Sequence, residues 1–348
     1  MDLLTNIIID NNSRVPKYKQ VMDSILKCIN SGNLKLGEKL PSINELSEEL
    51  LLSRDTVEKA YSLLKKQNII ESVKGKGYYL FKTNKSVKTK VLFLINKLST
   101  YKMRIYNAFV SELGAKAKVD LDIYHCDPKV FCKIIDEKQY FYDHYVIMPH
   151  FKNENMQHMG CTDEVLKTIL SIPQGKLIVL DRNLKSLSRE SGRIYQDFTE
   201  DIYNALTSGF EKLKKYRKIV LVYPSKAVYP YPKGIVTGFK RFCIQYNLDY
   251  EILDEIYDSM ELQIQDLYVI IEEADLVNLV KQVRDKNYKL GEDIGIISYN
   301  DTPLKELLGI TVISTNFKTM GEGAARMILT NKRLEIKNEF NFIDRFSL

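Results

Sequence analysis

Leu40-Pro-Ser-Ile-Asn-Glu-Leu-Ser-Glu-Glu-Leu-Leu-Leu-Ser-Arg-Asp-Thr-Val57 decides how the first part of this chain folds. Ser42 precedes Glu45 by three residues, the spacing of a capping box, and so starts a helix whose inner face includes Leu46 and Leu50. Ser53 can cap the next helix, in which Val57, Ala60, Tyr61 and Leu64 face inward. Toward the N-terminus, Tyr18, Val21, Ile25, Cys28 and Ile29 recur at spacings of three and four and share one helix face. Gly32 stands where that helix needs a C-terminal cap. Toward the C-terminus, Ile69–Val73 and Tyr78–Phe81 read as strands joined by Lys74-Gly-Lys-Gly77, whose glycines can supply the positive φ of a hairpin turn.

Charge is placed unevenly around this segment. Residues 1–90 hold 16 Lys+Arg against 10 Asp+Glu, whereas residues 91–348 hold 35 of each. A basic segment on a neutral body suggests a polyanion-binding module joined to something that does not bind polyanions. With 45% hydrophobic and 28% charged residues, the composition excludes disordered and collagen-like classes. No apolar run approaches the roughly 20 residues of a membrane span. The opening Met1-Asp-Leu-Leu-Thr-Asn6 lacks a basic n-region and a long apolar stretch, so a cytoplasmic protein is expected. Cys28, Cys126, Cys132, Cys161 and Cys243 are odd in number and form no C-x-x-C pair, which fits reduced thiols and argues against a disulfide framework or thiolate metal cage.

Lys82–Lys90 is polar and without apolar periodicity, and it divides the chain into a domain over 1–82, a linker over 83–90 and a second domain over 91–348. Beyond it, Val91–Ile95, Leu121–Tyr124, Tyr145–Met148, Leu177–Leu180, Ile219–Val222, Leu267–Ile271 and Ile294–Ser298 are short β-branched-rich runs, mostly separated by helix-length intervals. Such alternation predicts parallel α/β sheets with ligands at the carboxyl ends of strands. The interval is too long for one α/β layer, so two sheet-based lobes with a cleft between them are expected.

The order helix, helix, turn, helix, hairpin is that of a winged helix-turn-helix. Val15-Pro-Lys-Tyr-Lys-Gln20, Ile29-x-Ser-Gly-x-Leu-x-x-Gly37, Leu40-Pro-Ser42, Leu51-Leu-Ser-Arg-Asp-Thr-Val57 and Gly75-Lys-Gly77 together resemble the GntR family of bacterial transcription regulators. The resemblance covers about 70 residues and implies operator DNA as partner. Candidate DNA contacts are Ser42, Asn44, Ser53, Arg54, Thr56 and Lys76. Ser53, Arg54 and Thr56 stand at the N-terminal end of the recognition helix, opposite Val57 and Leu64, where base edges are reachable. Arg54 can read a guanine or clamp a phosphate, and both remain open. Lys76 at the wing tip suits a phosphate or minor-groove contact. The family usually has arginine where this chain has Asn44, which shifts the expected operator preference.

For the second domain, a helical metal-binding type fails on the strand pattern, and His125, His144, His150 and His158 lack i, i+4 spacing. An aminotransferase type needs a longer chain and a pyridoxal lysine, and a chorismate-lyase type is about half the length. Gly291-Glu-Asp-Ile-Gly-Ile-Ile-Ser-Tyr-Asn-Asp301, Ile310-Thr-Val-Ile-Ser-Thr-Asn316 and Met320-Gly-x-x-Ala324 resemble the LacI/GalR sensor, itself similar to type I periplasmic binding proteins; Lys176–Arg182 and Thr237-Gly-Phe239 match more weakly. The joined arrangement is similar to the arabinose-repressor type of regulator. The family's Asn-Asp at a strand end aligns with Glu272-Glu273, its arginine with Ile235 near Lys233, and its first turn aspartate with Asn300.

The resemblance implies a DNA-binding regulator, expected to be a homodimeric repressor released by a small sugar (a pentose, deoxyhexose or phosphate ester). A sugar site needs hydrogen-bonding groups and an aromatic face. At the expected strand ends stand Tyr101, Arg104, Phe151, Tyr229, Tyr231, Lys233, Glu272 and Asn300, while Asp181 and Arg182 fit a structural ion pair equally well. No catalytic constellation, cofactor motif or metal cluster is read, so an enzyme is not expected. A solute-binding protein and a regulator sensing a non-sugar metabolite are the alternatives.

Overall fold

In the computed structural model the helix Lys17–Asn30 (α1) buries Val21, Met22, Ile25, Cys28 and Ile29 against the third helix of its unit. The structure describes residues 7, 9–11, 13, 15–30, 33–81, 88–138, 141–225 and 227–348; Gly32, Lys82 and residues 83–87 of the expected linker lie outside them. The chain divides into two compact units, Met1–Lys88 and Thr89–Leu348.

In the first unit, Ser42 and Glu45 close a capping box on the helix Ile43–Glu49 (α2): Glu45 N donates to Ser42 Oγ at 3.1 Å and Ser42 N to Glu45 Oε2 at 2.7 Å. Those bonds to Ser42 hold the Glu45 carboxyl below its ordinary range. Ser53 caps the helix Arg54–Lys66 (α3), whose Val57, Ala60, Tyr61 and Leu64 are buried. The strands Ile70–Val73 (β1) and Gly77–Leu80 (β2) pair antiparallel, each one residue from its expected start or end. Gly75 at φ 74° and Gly77 at φ 108° supply the left-handed turn. Tyr61 pins this hairpin to the helices: its hydroxyl donates to Pro41 O at 2.8 Å and its ring meets Tyr78 edge-on at 4.8 Å.

The second unit contains two six-stranded sheets. The first lobe is built from Thr89–Ile95 (β3), Ala117–Ile123 (β4), His144–Ile147 (β5), Leu177–Arg182 (β8), Gly192–Gln196 (β9) and Glu335–Lys337 (β15), in the order β15-β9-β8-β5-β3-β4, all parallel. A separate two-stranded ribbon, Phe151–Lys152 (β6) and His158–Met159 (β7), follows β5. The second lobe is built from Lys218–Val222 (β10), Asp249–Leu253 (β11), Asp266–Ile270 (β12), Ile294–Tyr299 (β13), Thr311–Thr315 (β14) and Phe340–Ile343 (β16), ordered β11-β10-β12-β13-β14-β16. Only its last pair, β14 with β16, is antiparallel. Each sheet is covered on both faces by apolar clusters, which explains why the central strands read as continuous β-branched runs.

Chain crossings tie the lobes together. After β9 the chain enters the second lobe through helix Phe198–Ser208 (α7), and after β14 it returns through helix Phe317–Leu329 (α12). It crosses again between β15 and β16. Helix α12 packs on Thr100–Leu113 (α4) so closely that a Cβ at Gly321 would overlap the Ile105 carbonyl oxygen. Helix α7 packs likewise on Gly234–Gln245 (α9), with Gly238 at the contact. The carboxyl ends of both sheets therefore face one cleft, where an open α/β sheet binds its ligands.

Candidate functional site

In the first unit, the expected DNA contacts occupy one end of α3, the start of α2 and the hairpin tip. Arg54 and Asn44 are exposed, and Lys76 is exposed at the apex of the turn. Ser42 is committed to the capping box, and the Ser53 and Thr56 hydroxyls bond each other at 2.8 Å while Ser53 caps α3. Capping seats Arg54 on the first turn of α3, from which a long cationic side chain can reach base edges or phosphates. Ser42 and Ser53 act on the helix ends themselves.

In the second unit, a cavity lined by residues of both lobes lies between them. The ends of β3, β5, β8 and β9 contribute Asn96, His150, Asp181 and Gln196 from the first lobe, and β13 contributes Tyr299 and Asn300 from the second. A hydrogen-bonded chain crosses the floor. His158 Nε2 lies 3.1 Å from His150 Nδ1, and His150 Nε2 lies 2.9 Å from Asp181 Oδ2. Gln196 Nε2 donates to Asp181 Oδ1. Burial works to raise the Asp181 carboxyl, but the hydrogen bond from His150, the charge of Lys102 and the hydrogen bond from Gln196 hold it at about 2. Burial lowers both imidazoles, His158 to about 3, so an ionised Asp181 accepts from a neutral His150. Each proton is thereby placed: His158 donates to His150, and His150 donates to Asp181.

That arrangement leaves polar atoms of cavity-lining residues without partners among the described residues. Gln196 spends its amide nitrogen on Asp181, and its Oε1 is unpartnered; Asn96 donates Nδ2 to Cys126 Sγ at 3.1 Å, and its Oδ1 is unpartnered; the Tyr299 hydroxyl is unpartnered as well. Their residues are 7%, 4% and 4% exposed. Buried polar groups almost always find a partner, so these three are open to hydrogen bonds with a ligand that both donates and accepts. Lys102 is buried at the same floor, and burial pushes its ammonium down to about 8 against the opposing pull of Asp181. Burial lowers Lys97 too, while Glu272 across the cleft works to raise it.

The expected ligand residues divide into groups. Tyr101, Tyr231 and Asn300 line the cavity, and Glu272 lines the space continuous with it, accepting from the Tyr231 hydroxyl at 3.2 Å. Asn300 sits at φ 65°, a conformation that asparagine tolerates, and Lys305 Nζ donates to its carbonyl at 2.8 Å. Tyr229 and Lys233 stand at opposite mouths, Tyr229 3.0 Å from His125 Nδ1. Phe151 is not a cleft residue: it is fully buried between Tyr124 and Phe131, because β6 folds back over the first-lobe core. Arg104 is spent on a bond between lobes, donating to Asp301 O at 2.6 Å. Asp181 and Arg182 form no ion pair, since Asp181 is engaged by His150 and Gln196. Asn96, Lys97, Lys102, His150, Gln196 and Tyr299 were outside the expected set. For most of them the signal present in the sequence was their position just beyond, or at the end of, a β-branched run.

Residues 17–80 match the model of the bacterial regulatory proteins, gntR family. The HTH-type transcriptional repressor YtrA of Bacillus subtilis is 36% identical over 80 residues, 23% of this chain and 62% of that protein. The arabinose metabolism transcriptional repressor of Geobacillus stearothermophilus is 34% identical over 83 residues, 23% of each chain. The chain thus spans less than two thirds of these relatives' own length. Among solved structures, a LacI family transcriptional regulator from Lactobacillus casei with bound sucrose superposes with a TM-score of 0.59 at 14% identity, covering 75% of this chain and all of that one. The trehalose repressor of Escherichia coli gives 0.56 at 13% identity, covering 74% and 100%. The N-terminal unit is a GntR-type helix-turn-helix domain, and the second unit has the LacI/periplasmic-binding-protein-like fold. No helix among the described residues is long and apolar enough to cross a membrane.

Proposed function

We propose that the chain is a transcription repressor that holds operator DNA through its first unit and changes that hold when a small polyhydroxylated ligand closes the cleft of its second. The carrying observation is the buried triad of unpartnered polar atoms on Asn96, Gln196 and Tyr299, contributed by both lobes. Each sugar hydroxyl donates one hydrogen bond and accepts others, so two neighbouring hydroxyls can satisfy the acceptors on Asn96 and Gln196 and pair with the Tyr299 hydroxyl. Because those atoms belong to both lobes, the ligand is worth more in the closed arrangement than in the open one. That differential affinity is what a ligand needs to shift a conformational equilibrium.

The match of residues 17–80 and the repressor names of the curated relatives support the DNA-binding half of this reading. The bound sucrose of the Lactobacillus casei regulator supports the sugar half by analogy of fold. Two-fold pairing of reading heads is expected, since one winged helix buries little surface and paired half-sites supply the remaining affinity. In this reading the chain works in the cytoplasm by binding, not by catalysis. A thermal-shift screen of free and phosphorylated sugars on the full chain tests it. Specific binding raises the midpoint with the logarithm of ligand concentration, and the same compounds should release a selected DNA duplex. No stabilisation by any of them would count against the cleft as a sugar site.

A further inference from the structure

The two mouths of the cleft carry opposite charge. One mouth, lined by Lys97, presents Asp254, Glu255, Glu272 and Asp275. The other, beside the crossover from β9 to α7, opens into a space of about 1130 Å³ and presents Arg182, Lys185 and Lys233 against Asp197 alone. Asp197 is already engaged, accepting from Thr199 N and Glu200 N at 3.1 Å each as the cap of α7. Among the described residues, none of the three cations is in an ion pair with a carboxylate. Arg182 makes a long 3.5 Å contact to Met159 O.

This basic mouth is continuous with the central cavity. Gln196, Phe198 and Pro232 line both, and the unpartnered, nearly buried Gln196 Oε1 stands at the junction. Arg182 comes from the first lobe and Lys233 from the second, so an anion between them would be gripped only when the lobes are together. A guanidinium presents a planar fork that matches phosphate or carboxylate oxygens, whereas a lysine contributes a point charge.

We infer that the basic mouth is an anion subsite, and that the effector is a polyol carrying a phosphate or carboxylate, its hydroxyls in the central cavity and its anion between Arg182 and Lys233. The inference rests on the cleft reading above and narrows it: neutral sugars would fill the cavity and leave the cations unmet. The acidic mouth fixes the orientation, because it repels the same anion.

The test is calorimetric titration of the full chain with matched sets of compounds: neutral aldoses and ketoses, their phosphate esters, the corresponding sugar acids, and inorganic phosphate. Binding of at least one anionic member about 10- to 100-fold tighter than its neutral parent is expected, with a preference that fades as salt is raised. The phosphate and acid sets distinguish the two anions. Lys233→Gln, an exposed substitution, and Arg182→Gln should each erase most of that preference while leaving affinity for the neutral parent within about twofold. The ligand-free thermal midpoint of each variant reports whether it folds. Neutral sugars binding as tightly as their anionic counterparts, or a preference that survives in the folded variants, would overturn the subsite and leave the cleft reading standing. No binding by any set, from a chain that still holds DNA, would overturn both.

Discussion

His150 donates its Nε2–H to Asp181 Oδ2 at 2.9 Å, and that bond fixes how the cleft floor presents itself to a ligand. With one carboxylate oxygen taken by His150, the other accepts from Gln196 Nε2, and the Gln196 carbonyl is left without a partner among the described residues. A buried charge thus orients a neutral amide, and the cost of burying Asp181 is offset by its two hydrogen bonds.

The relay makes stability pH-dependent. The folded His158 sits at about 3 against an unfolded value near 6.5, so the unfolded chain binds the proton first. Stability from keeping it neutral is present above pH 6.5 and is lost as pH falls toward 3. Asp181, at about 2 against an unfolded value near 3.9, adds a second loss below about pH 4. His158→Gln should remove a slope of up to about 1.4 kcal/mol per pH unit between pH 6 and 4. His144, pushed down to about 4 by burial, retains its share in both proteins. Denaturant unfolding at pH 7, 6, 5 and 4 checks this; identical slopes would show that His158 is protonated without cost.

Tyr299→Phe removes a buried hydroxyl that has no protein partner. Stability without ligand should stay level or rise by about 1 kcal/mol, since an unsatisfied group is deleted. Ligand affinity should fall about 5-fold or more, because a ligand hydroxyl loses its partner. A variant destabilised by more than about 1 kcal/mol with unchanged ligand affinity would show that the hydroxyl serves the fold.

Gly238→Ala addresses the packing of α9 on α7, the helix through which the chain enters the second lobe. A Cβ there overlaps the Thr199 carbonyl oxygen and approaches Ile202 Cγ2 at 2.6 Å, so α7 and α9 must separate. A loss of about 1–3 kcal/mol is expected from overpacking, read as a lower denaturation midpoint at constant m-value. An unchanged midpoint would show that α7 and α9 accommodate the added methyl without separating.

Arg54→Ala acts on the other unit. A guanine contact predicts a cost of about 1–3 kcal/mol on a selected duplex and a flattened preference at one base position. A phosphate contact predicts a uniform weakening and a salt slope shallower by about 0.9. Binding to a panel of single-base variants separates the two, and no change on any duplex would remove Arg54 from the interface.

The sequence made the first unit legible because local rules act within a few residues there: capping boxes, helix periodicity and a Gly-x-Gly turn place Ser42, Ser53 and Gly75 without tertiary information. The parallel strands were legible for a similar reason, since burial on both faces makes β5 and β12 read as unbroken apolar runs. Two edge strands were not: β11 is half exposed, and β15 is exposed throughout, so neither carries an apolar signature, whereas the edge strand β4 showed through Leu121–Tyr124. The cleft divided along the same line. Asn300 and Tyr231 could be placed from strand ends, but the contact of His150 with Asp181 spans 31 residues and follows only from the order of β5 and β8 in the sheet. Phe151 misled because a strand end is also where the chain can fold back into its own core.

The most direct test joins the two units in one titration. A duplex selected from random DNA by the full chain is labelled, and its dissociation constant is measured by anisotropy with and without saturating amounts of each compound that raises the protein's thermal midpoint. Stabilising compounds are expected to weaken DNA binding by about 5- to 150-fold, equivalent to about 1–3 kcal/mol of coupling between the sites. Tyr299→Phe should shift the ligand midpoint without changing affinity for DNA alone. A compound that saturates the cleft and leaves the DNA dissociation constant within twofold would contradict the proposal that the cleft controls the reading head.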